Sequence, residues 1–406
     1  MYGIDPETHM PIEVIIERMR ESWRPAPGKE SVPVIDALGR IPFEDIFSVV
    51  DIPVRRGAIC DGIAVNSGVF RDAESGGPIL PDTSLWVLNA DYAFANMGND
   101  FDDRFDAVIA VEDVNIEGGK VVLSENIKVS SGNLVEPKGG TVYKGELLAR
   151  KGRRISSLDI ANLAAACVNS VEAIKRPLAA FIPTGGKLVP MGTHPSRGQI
   201  VDSNSPMVKA ILSEFGADVK LFPIVKDAPQ ELPGILEDAT NTCDIVLIGG
   251  GSSKGTDDFC PNLIKQGADF FNHYARIRPG RPIVTAVRNN KPIVNLPGPA
   301  FSTFFPLQWC VRELTDHWYG VTHEHRSVIR AEARANFMME PTPIAYGLFF
   351  EVVMEGDKCV ANRLDEDIRG DLFMKADAYA ILPIGSEGFK AGDILELRPV
   401  ERSSRI

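Results

Sequence analysis

Residues 244–258 read Asp-Ile-Val-Leu-Ile-Gly-Gly-Gly-Ser-Ser-Lys-Gly-Thr-Asp-Asp, and this stretch decides the fold class. Ile245–Ile248 is a short apolar run without alternation, and its length and β-branched content fit a buried strand better than a helix. Gly249, Gly250 and Gly251 follow at once, then Ser252, Ser253 and, one residue on, Gly255. Such a turn leaves backbone N–H groups open and lets another group approach the main chain. Asp257 and Asp258 then stand where a helix can begin. In an open parallel sheet, ligands bind beyond the carboxyl ends of the strands, and N–H groups beside a helix N-terminus favour a phosphate. The alternative is a sharp strand-to-helix turn with the acids as caps. The stretch has neither the Lys-Ser/Thr ending of a nucleotide P-loop nor a dinucleotide fingerprint.

Working outward, apolar strand candidates alternate with helix candidates. Leu178–Ile182 predicts a strand ending at Pro183-Thr184-Gly185-Gly186, and Ser205-Pro206 starts a helix running to about 215. Val219–Val225 predicts a strand, and Pro229–Ala239 a helix that carries Pro233. Beyond the glycine turn come a helix over 257–267 and two strands, Pro282–Val287 and Pro292–Leu296, joined at Asn289-Asn290. A long apolar helix then spans Phe301–Trp318 and carries Pro306. This alternation implies a largely parallel sheet with helices on both faces.

The flanking regions differ. Met10–Trp23 reads as an amphipathic helix with an apolar stripe of Ile12, Val14, Ile15 and Met19. Over 51–150, short apolar runs separated by Gly, Asn, Asp and Pro predict a small β domain, with a hairpin turn at Gly118-Gly119. Ser156/Ser157 cap a helix over about 158–168, which is expected to pack against the N-terminal helix, with the β domain inserted between them. Residues 328–406 return to short strands and predict a β barrel or sandwich.

Composition narrows the function classes. The chain has 406 residues, 44% hydrophobic and 24% charged, as in ordinary globular proteins of two to four domains. Its net charge of −12 argues against non-specific nucleic-acid binding, and no apolar run reaches membrane-span length. No basic region followed by an apolar core opens the sequence, so the expected location is the cytoplasm. None of the 6 cysteines forms a Cys-x-x-Cys pair, so structural zinc is not expected.

The acids at strand ends carry the chemistry. Asp202, Asp227 and Asp258 each lie just beyond an expected strand or its loop, and strand ends of one parallel sheet converge on one edge. Convergent carboxylates suit Mg²⁺, while local capping is the alternative, with most force at Asp202 ahead of its helix. Arg278-Pro279-Gly280-Arg281-Pro282 is a basic turn in an acidic chain, and its two arginines can clamp a phosphate bidentately. Cys60-Asp61-Gly62 and Asp106 are further candidates in the β region.

Taken in order, these motifs resemble the molybdopterin molybdenumtransferase family, which includes the E domain of gephyrin. Asp51-Ile52-Pro53, Cys60-Asp61-Gly62-Ile63-Ala64 and Phe105-Asp106-Ala107-Val108-Ile109 look like family segments. So do Pro183-Thr184-Gly185, Gly198-Gln199-Ile200-Val201-Asp202-Ser203-Asn204, Gly249–Asp258, Arg278–Pro282 and Leu296-Pro297-Gly298. The resemblance covers essentially the whole chain.

It implies a multidomain α/β plus β fold. A three-layer αβα molybdopterin-binding domain spans 177–325, and an inserted β domain spans 51–145. A split helical linker domain is formed by 1–50 and 146–176, and a C-terminal β-barrel-like domain by 326–406. The implied reaction places molybdenum from molybdate on adenylylated molybdopterin and releases AMP, with Mg²⁺ assisting at Asp227 and Asp258. The implied catalytic acids are Asp61, Asp106, Asp227 and Asp258. The implied pterin contacts are Thr184, Gly185, Asp202, Ser203, Asn204, Gly249, Gly250, Gly251, Ser252, Ser253, Arg278, Arg281, Pro297, Gly298 and Ser302. A homodimer is implied, and the expected partners are a molybdopterin-adenylylating protein or a client molybdoenzyme. Departures cluster in the loops. The family's Asp-Glu after Thr-Gly is Gly186-Lys187, its Asn-Pro after Leu-Pro-Gly is Pro299-Ala300, and its two lysines are Arg278 and Arg281. A non-catalytic carrier or maturation factor is therefore the alternative function.

Overall fold

A computed structural model describes residues 9–73, 77–125, 127–226, 228–252, 259–321, 327–364 and 374–400, with backbone alone for 71–73, 77–79 and 228. Contacts divide the chain into Lys29–Ile174 and a second unit formed by Met1–Gly28 with Lys175–Ile406.

Lys29–Ile174 is closed at its root. Its first strand, Lys29–Pro33, pairs antiparallel with its last, Ser170–Ile174, so the chain enters and leaves side by side. Val32, Leu148, Leu163, Val171 and Ala173 form the core there. The Ser157–Ala165 helix starts with a reciprocal cap between Ser156 and Asp159, which satisfies two otherwise orphaned N–H groups. The inserted part holds a three-stranded antiparallel sheet of Tyr92–Ala95, Gly62–Val65 and Ala107–Ala110, with apolar clusters on both faces. A hairpin pairs Val114–Glu117 with Lys120–Leu123, and Gly118 and Gly119 in its turn have φ of 56° and 81°.

The other unit is built on a six-stranded sheet in the order 218–221, 178–183, 245–249, 291–296, 284–288, 270–273. The first four strands are mutually parallel, and 284–288 runs antiparallel to both of its neighbours, 291–296 and 270–273. The central strands Ile245–Gly249 and Lys291–Leu296 are buried almost throughout, which explains their unbroken apolar sequence. Asn289 and Asn290, at φ 52° and 54°, make the two-residue turn between the antiparallel strands. The expected long helix after Leu296 is three pieces: Ala300–Pro306, a wider π turn at Leu307–Val311, and Arg312–Tyr319. Pro306 has no N–H to donate, and the widened turn directly follows it.

The N-terminal helix, Ile12–Ser22, packs on Phe270–His273, Val284–Arg288 and Arg312–Tyr319. Its contact unit is therefore the α/β sheet, not the Ser157–Ala165 helix expected from sequence. Ile15 and Met19 are fully buried, Trp23 nearly so, and the half-buried Arg20 pairs with the buried Glu313 at 2.8 Å. Of the expected stripe, Ile12, Ile15 and Met19 are buried and Val14 is only half-buried, and where the stripe packs depends on tertiary contacts that helical periodicity does not encode.

The last strands form a closed sheet. Ala345–Glu355 pairs with Lys358–Leu364, which pairs with Ile329–Ala333, then Ile394–Pro399, then Ala378–Leu382, and this last strand returns to Ala345–Glu355. Leu348, Phe350, Ala378 and Leu397 fill the barrel. No described helix is long and apolar enough to cross a membrane.

Candidate functional site

The chain reverses direction of growth at the Leu178–Pro183 strand. One connection leads to Asp218–Leu221 on one side, and the next leads to Ile245–Gly249 on the other. Such a switch point opens a crevice at the carboxyl edge. Pro183 is in register with Gly249, and Gly249 with Leu296, so the segments after all three emerge together. His273 pairs with Val284, and Val284 with Asn295, which brings the 274–283 connection with Arg278 and Arg281 to the same edge.

The glycine turn is held by its carbonyls. Thr184 donates both its N–H (2.7 Å) and its hydroxyl (2.9 Å) to the Gly249 oxygen. Asn295 Nδ2 donates to the oxygens of Ile248 (3.2 Å) and Gly250 (2.5 Å) from a fully buried position. The Gly250 N–H donates to Leu296 at 3.0 Å, while the N–H groups of Gly251 and Ser252 donate to no described residue. Gly250 and Gly251 have φ of 95° and 64°, and a Cβ would lie 2.6 Å from the Thr184 oxygen or 2.8 Å from Cys260 Sγ. Captured carbonyls, open N–H groups and left-handed backbone make a turn suited to an anion.

The neighbouring segments are tied to this turn differently. Gly185 donates to the Val225 oxygen at 3.0 Å. Asn204 Nδ2 donates to the Gly298 oxygen at 2.8 Å, and its Oδ1 is buried without a partner. The Asp202 carboxylate accepts from the Ser205 N–H at 3.0 Å and from the Ser205 hydroxyl, so it is committed to the start of the Asn204–Phe215 helix. That is the capping role weighed for it, and it replaces Ser205 as the expected cap. Ser203 is exposed and makes no capping bond. Thr303 Oγ1 donates to the Pro297 oxygen at 2.6 Å, and the Ser302 N–H to Pro299 at 2.9 Å, which fixes the loop after Leu296.

Arg278 is exposed, with its guanidinium 6.0 Å from the Tyr346 ring centroid, and Arg281 is half-buried. Ile277–Arg278 also pairs in parallel with Ala345–Tyr346 of the barrel, which anchors this basic turn at its first residue. Gly186 and Lys187 are both exposed. Asp227, Ser253 and Asp258 lie outside the described residues. Among the described residues, no three His, Cys, Asp or Glu side chains gather as a metal site.

Asp61 and Asp106 belong to the other unit and do not meet there. Gly62 pairs with Ala110 and Val65 with Ala107, so the two acids sit at opposite ends of the strand pair. Strand geometry separates them by roughly 15 Å. Asp61 is exposed and accepts the Met97 N–H at 2.8 Å. Asp106 accepts the Ser67 N–H and hydroxyl, each at 2.7 Å. Burial raises the Asp106 carboxyl, but bonds from Ser67 and Ser131 outweigh it and hold the group below the usual carboxylate range. Burial pushes the neighbouring Cys60 thiol up, with Glu112 and Asp61 adding to the effect.

Sequence reading missed Asn295 and His273. Asn295 left a signal, as the one amide inside the apolar run Pro292–Leu296. His273 left none, since its partner is a main-chain oxygen 21 residues away.

A switch-point sheet with an anion-suited turn, joined to a closed barrel and carrying an inserted β unit, defines a multidomain α/β class of ligand-binding architecture. Residues 10–167 match the MoeA N-terminal region (domain I and II), and residues 180–317 match a probable molybdopterin binding domain. A molybdopterin molybdenumtransferase from Staphylococcus epidermidis is 27% identical over 257 residues, covering 63% of this chain. One from Staphylococcus aureus is 27% identical over 251 residues. The chain spans about three fifths of these relatives' length, 61% and 59%. A molybdopterin biosynthesis MoeA protein from Pyrococcus horikoshii superposes with a TM-score of 0.75 at 27% identity, over 97% of this chain and 99% of that one. A second structure from that organism gives 0.77 at 22% identity, over 97% and 100%. The chain belongs to the molybdopterin molybdenumtransferase family, as a divergent member.

Proposed function

We propose that this protein acts in molybdenum cofactor biosynthesis, inserting molybdenum from molybdate into adenylylated molybdopterin with release of AMP. The observation that carries this reading is the Gly249–Ser252 turn, whose carbonyls are bonded inward while the N–H groups of Gly251 and Ser252 donate to none of the described residues. A phosphate of the pterin would be held by those N–H groups, with Arg278 and Arg281 supplying charge. Thr184 and Asn295 keep the turn rigid, and Asn204 keeps Gly298 in place beside it. Mg²⁺ would be held by Asp227 and Asp258, hard oxygen donors that suit it. Bound there, the ion would neutralise charge on the phosphoanhydride. Asp61, from the inserted domain, is the exposed acid available to a substrate, whereas Asp106 is the stabiliser of its own loop.

We further read the chain as a cytoplasmic homodimer served by a molybdopterin-adenylylating protein and serving a client molybdoenzyme. The division into a split linker, an inserted β domain, an α/β domain and a barrel is part of the same reading. The test incubates purified protein with adenylylated molybdopterin, molybdate and Mg²⁺ and follows AMP. Release above background supports the enzyme, and Asp258→Asn should suppress it with the fold intact. One observation favours a second reading, a molybdopterin carrier or maturation factor without turnover. Gly186 and Lys187 are exposed where the resembled motif has two acids, so a pair of negative charges is replaced by none and one positive. Tight pterin binding without AMP release would decide for that reading.

A further inference from the structure

Each carbonyl that anchors the glycine turn has its own donor, and for Ser252 the donor is a histidine ring. His273 Nε2 lies 2.9 Å from the Ser252 oxygen, and Ser252 is 4% exposed. A carbonyl oxygen only accepts, so Nε2 must carry the proton. The ring is held flat against Tyr274, with centroids 4.0 Å apart and planes 17° apart. His273 is the last residue of its strand, in register with Val284, so its backbone is set by the sheet. A rigid element thus fixes a peptide dipole at the end of the turn. Released, the Ser252 carbonyl could rotate its negative end towards the place where an anion would sit.

We propose that His273 is a positioning residue for the phosphate-bearing ligand. It captures the Ser252 carbonyl through an Nε2–H donor and so keeps the turn presenting N–H groups. This rests on the function proposed above. The role is separate from Asn295, which captures Gly250 from the neighbouring strand, and from Thr184, which captures Gly249.

Two substitutions separate the donor from the ring. His273→Phe keeps the flat ring beside Tyr274 and removes the donor. His273→Gln removes the ring and returns an N–H₂ at a similar reach. The dissociation constant of molybdopterin should rise roughly tenfold in His273→Phe, as expected for a buried carbonyl left without its donor. It should recover to within about threefold of the original in His273→Gln. Equal affinity for wild type and His273→Phe overturns the clamp, as does a His273→Gln protein no better than His273→Phe. An independent arm uses ¹⁵N-labelled histidine. Wild type should show the Nε2–H tautomer at His273 without any ligand, and an Nδ1–H tautomer overturns the proposal. Wild-type protein that fails to bind molybdopterin while showing the Nε2–H tautomer refutes the functional reading and supports the clamp as a feature of the turn.

Discussion

Replacing Gly250 with alanine tests whether the turn's shape is imposed by its backbone. Gly250 sits at φ 95°, and a Cβ there would lie 2.6 Å from the main-chain oxygen of Thr184. The first effect is conformational: an L-residue held in the left-handed region costs about 1–2 kcal/mol. The second is steric. The obstructing atom is backbone, and Thr184 is itself fixed by two bonds to Gly249, so it cannot swing aside like the tip of a side chain. Forcing such an overlap costs about 1–3 kcal/mol. The expected destabilisation of the α/β unit is therefore about 2–5 kcal/mol. Gly298→Ala is the matched control, because no described atom lies within 4 Å of its added Cβ and its φ is not in the left-handed region. The assay is urea unfolding followed by tryptophan fluorescence, since Trp23, Trp309 and Trp318 are all buried in this unit. Gly298→Ala should lie within about 0.5 kcal/mol of wild type. A Gly250→Ala protein equally close to wild type would refute the argument, because the turn would then be free to adopt another path.

Other expectations follow from the same geometry. Asn295→Ala strips the donor from two buried carbonyls, Ile248 and Gly250, and should lower stability by about 2–4 kcal/mol in the same urea assay. Asp106→Asn should destabilise the protein at neutral pH, and the gap from wild type should close as pH falls. The native carboxyl is depressed, so its stabilising contribution is present above the unfolded value near 3.9 and is lost as pH drops through the lower native value. Unfolding midpoints measured between pH 7 and pH 2.5 check this, and a gap that is constant or widens on acidification would contradict it. Arg278→Ala with Arg281→Ala should weaken molybdopterin binding at least tenfold with little change in the unfolding midpoint, because Arg278 is exposed and Arg281 only half-buried. Titration at low and high salt should show the loss shrinking as salt screens the interaction.

What was legible in the sequence was whatever rests on local pattern. Ile245–Ile248 announced a buried strand because both its faces are covered, and Asn289-Asn290 announced a hairpin because two consecutive positive φ angles favour asparagine. The order of motifs carried the family. What was not legible depended on register and on long-range partners. Asp61 and Asp106 look equivalent as acids beside apolar runs, yet antiparallel pairing sends them to opposite ends of one sheet. Asp202 looks like a ligand group in its motif, yet its carboxylate is already occupied by Ser205. The N-terminal helix displays its apolar stripe plainly, but helical periodicity does not say whether that stripe meets a helix or a sheet.

These placements sharpen the difference between holding a ligand and turning it over. The parts suited to holding an anion are backbone parts, the N–H groups of Gly251 and Ser252 that no described residue accepts from, and they are enforced by interior donors at Thr184, Asn295 and His273. Such parts tolerate wide sequence divergence, because they need only glycine at the strained positions and donors beneath. Turnover asks for charged side chains at set places, and here one expected acid is capping a helix, another is bracing its own loop, and the position after Gly186 is a lysine. On the proposed function, the acids left to carry turnover are Asp61, Asp227 and Asp258. Restoring the two acids, Gly186→Asp with Lys187→Glu, is therefore the most informative gain-of-function change. Both positions are exposed, so the pair should fold. Among the described residues, a Cβ on Gly186 meets only the Lys226 oxygen, at 3.2 Å, a contact that a small shift relieves. If the lost charges limit the chemistry, AMP release should rise at least tenfold with pterin affinity changed little. A rise in affinity without a rise in AMP would show that these positions govern binding, and would move the missing catalytic function elsewhere in the chain.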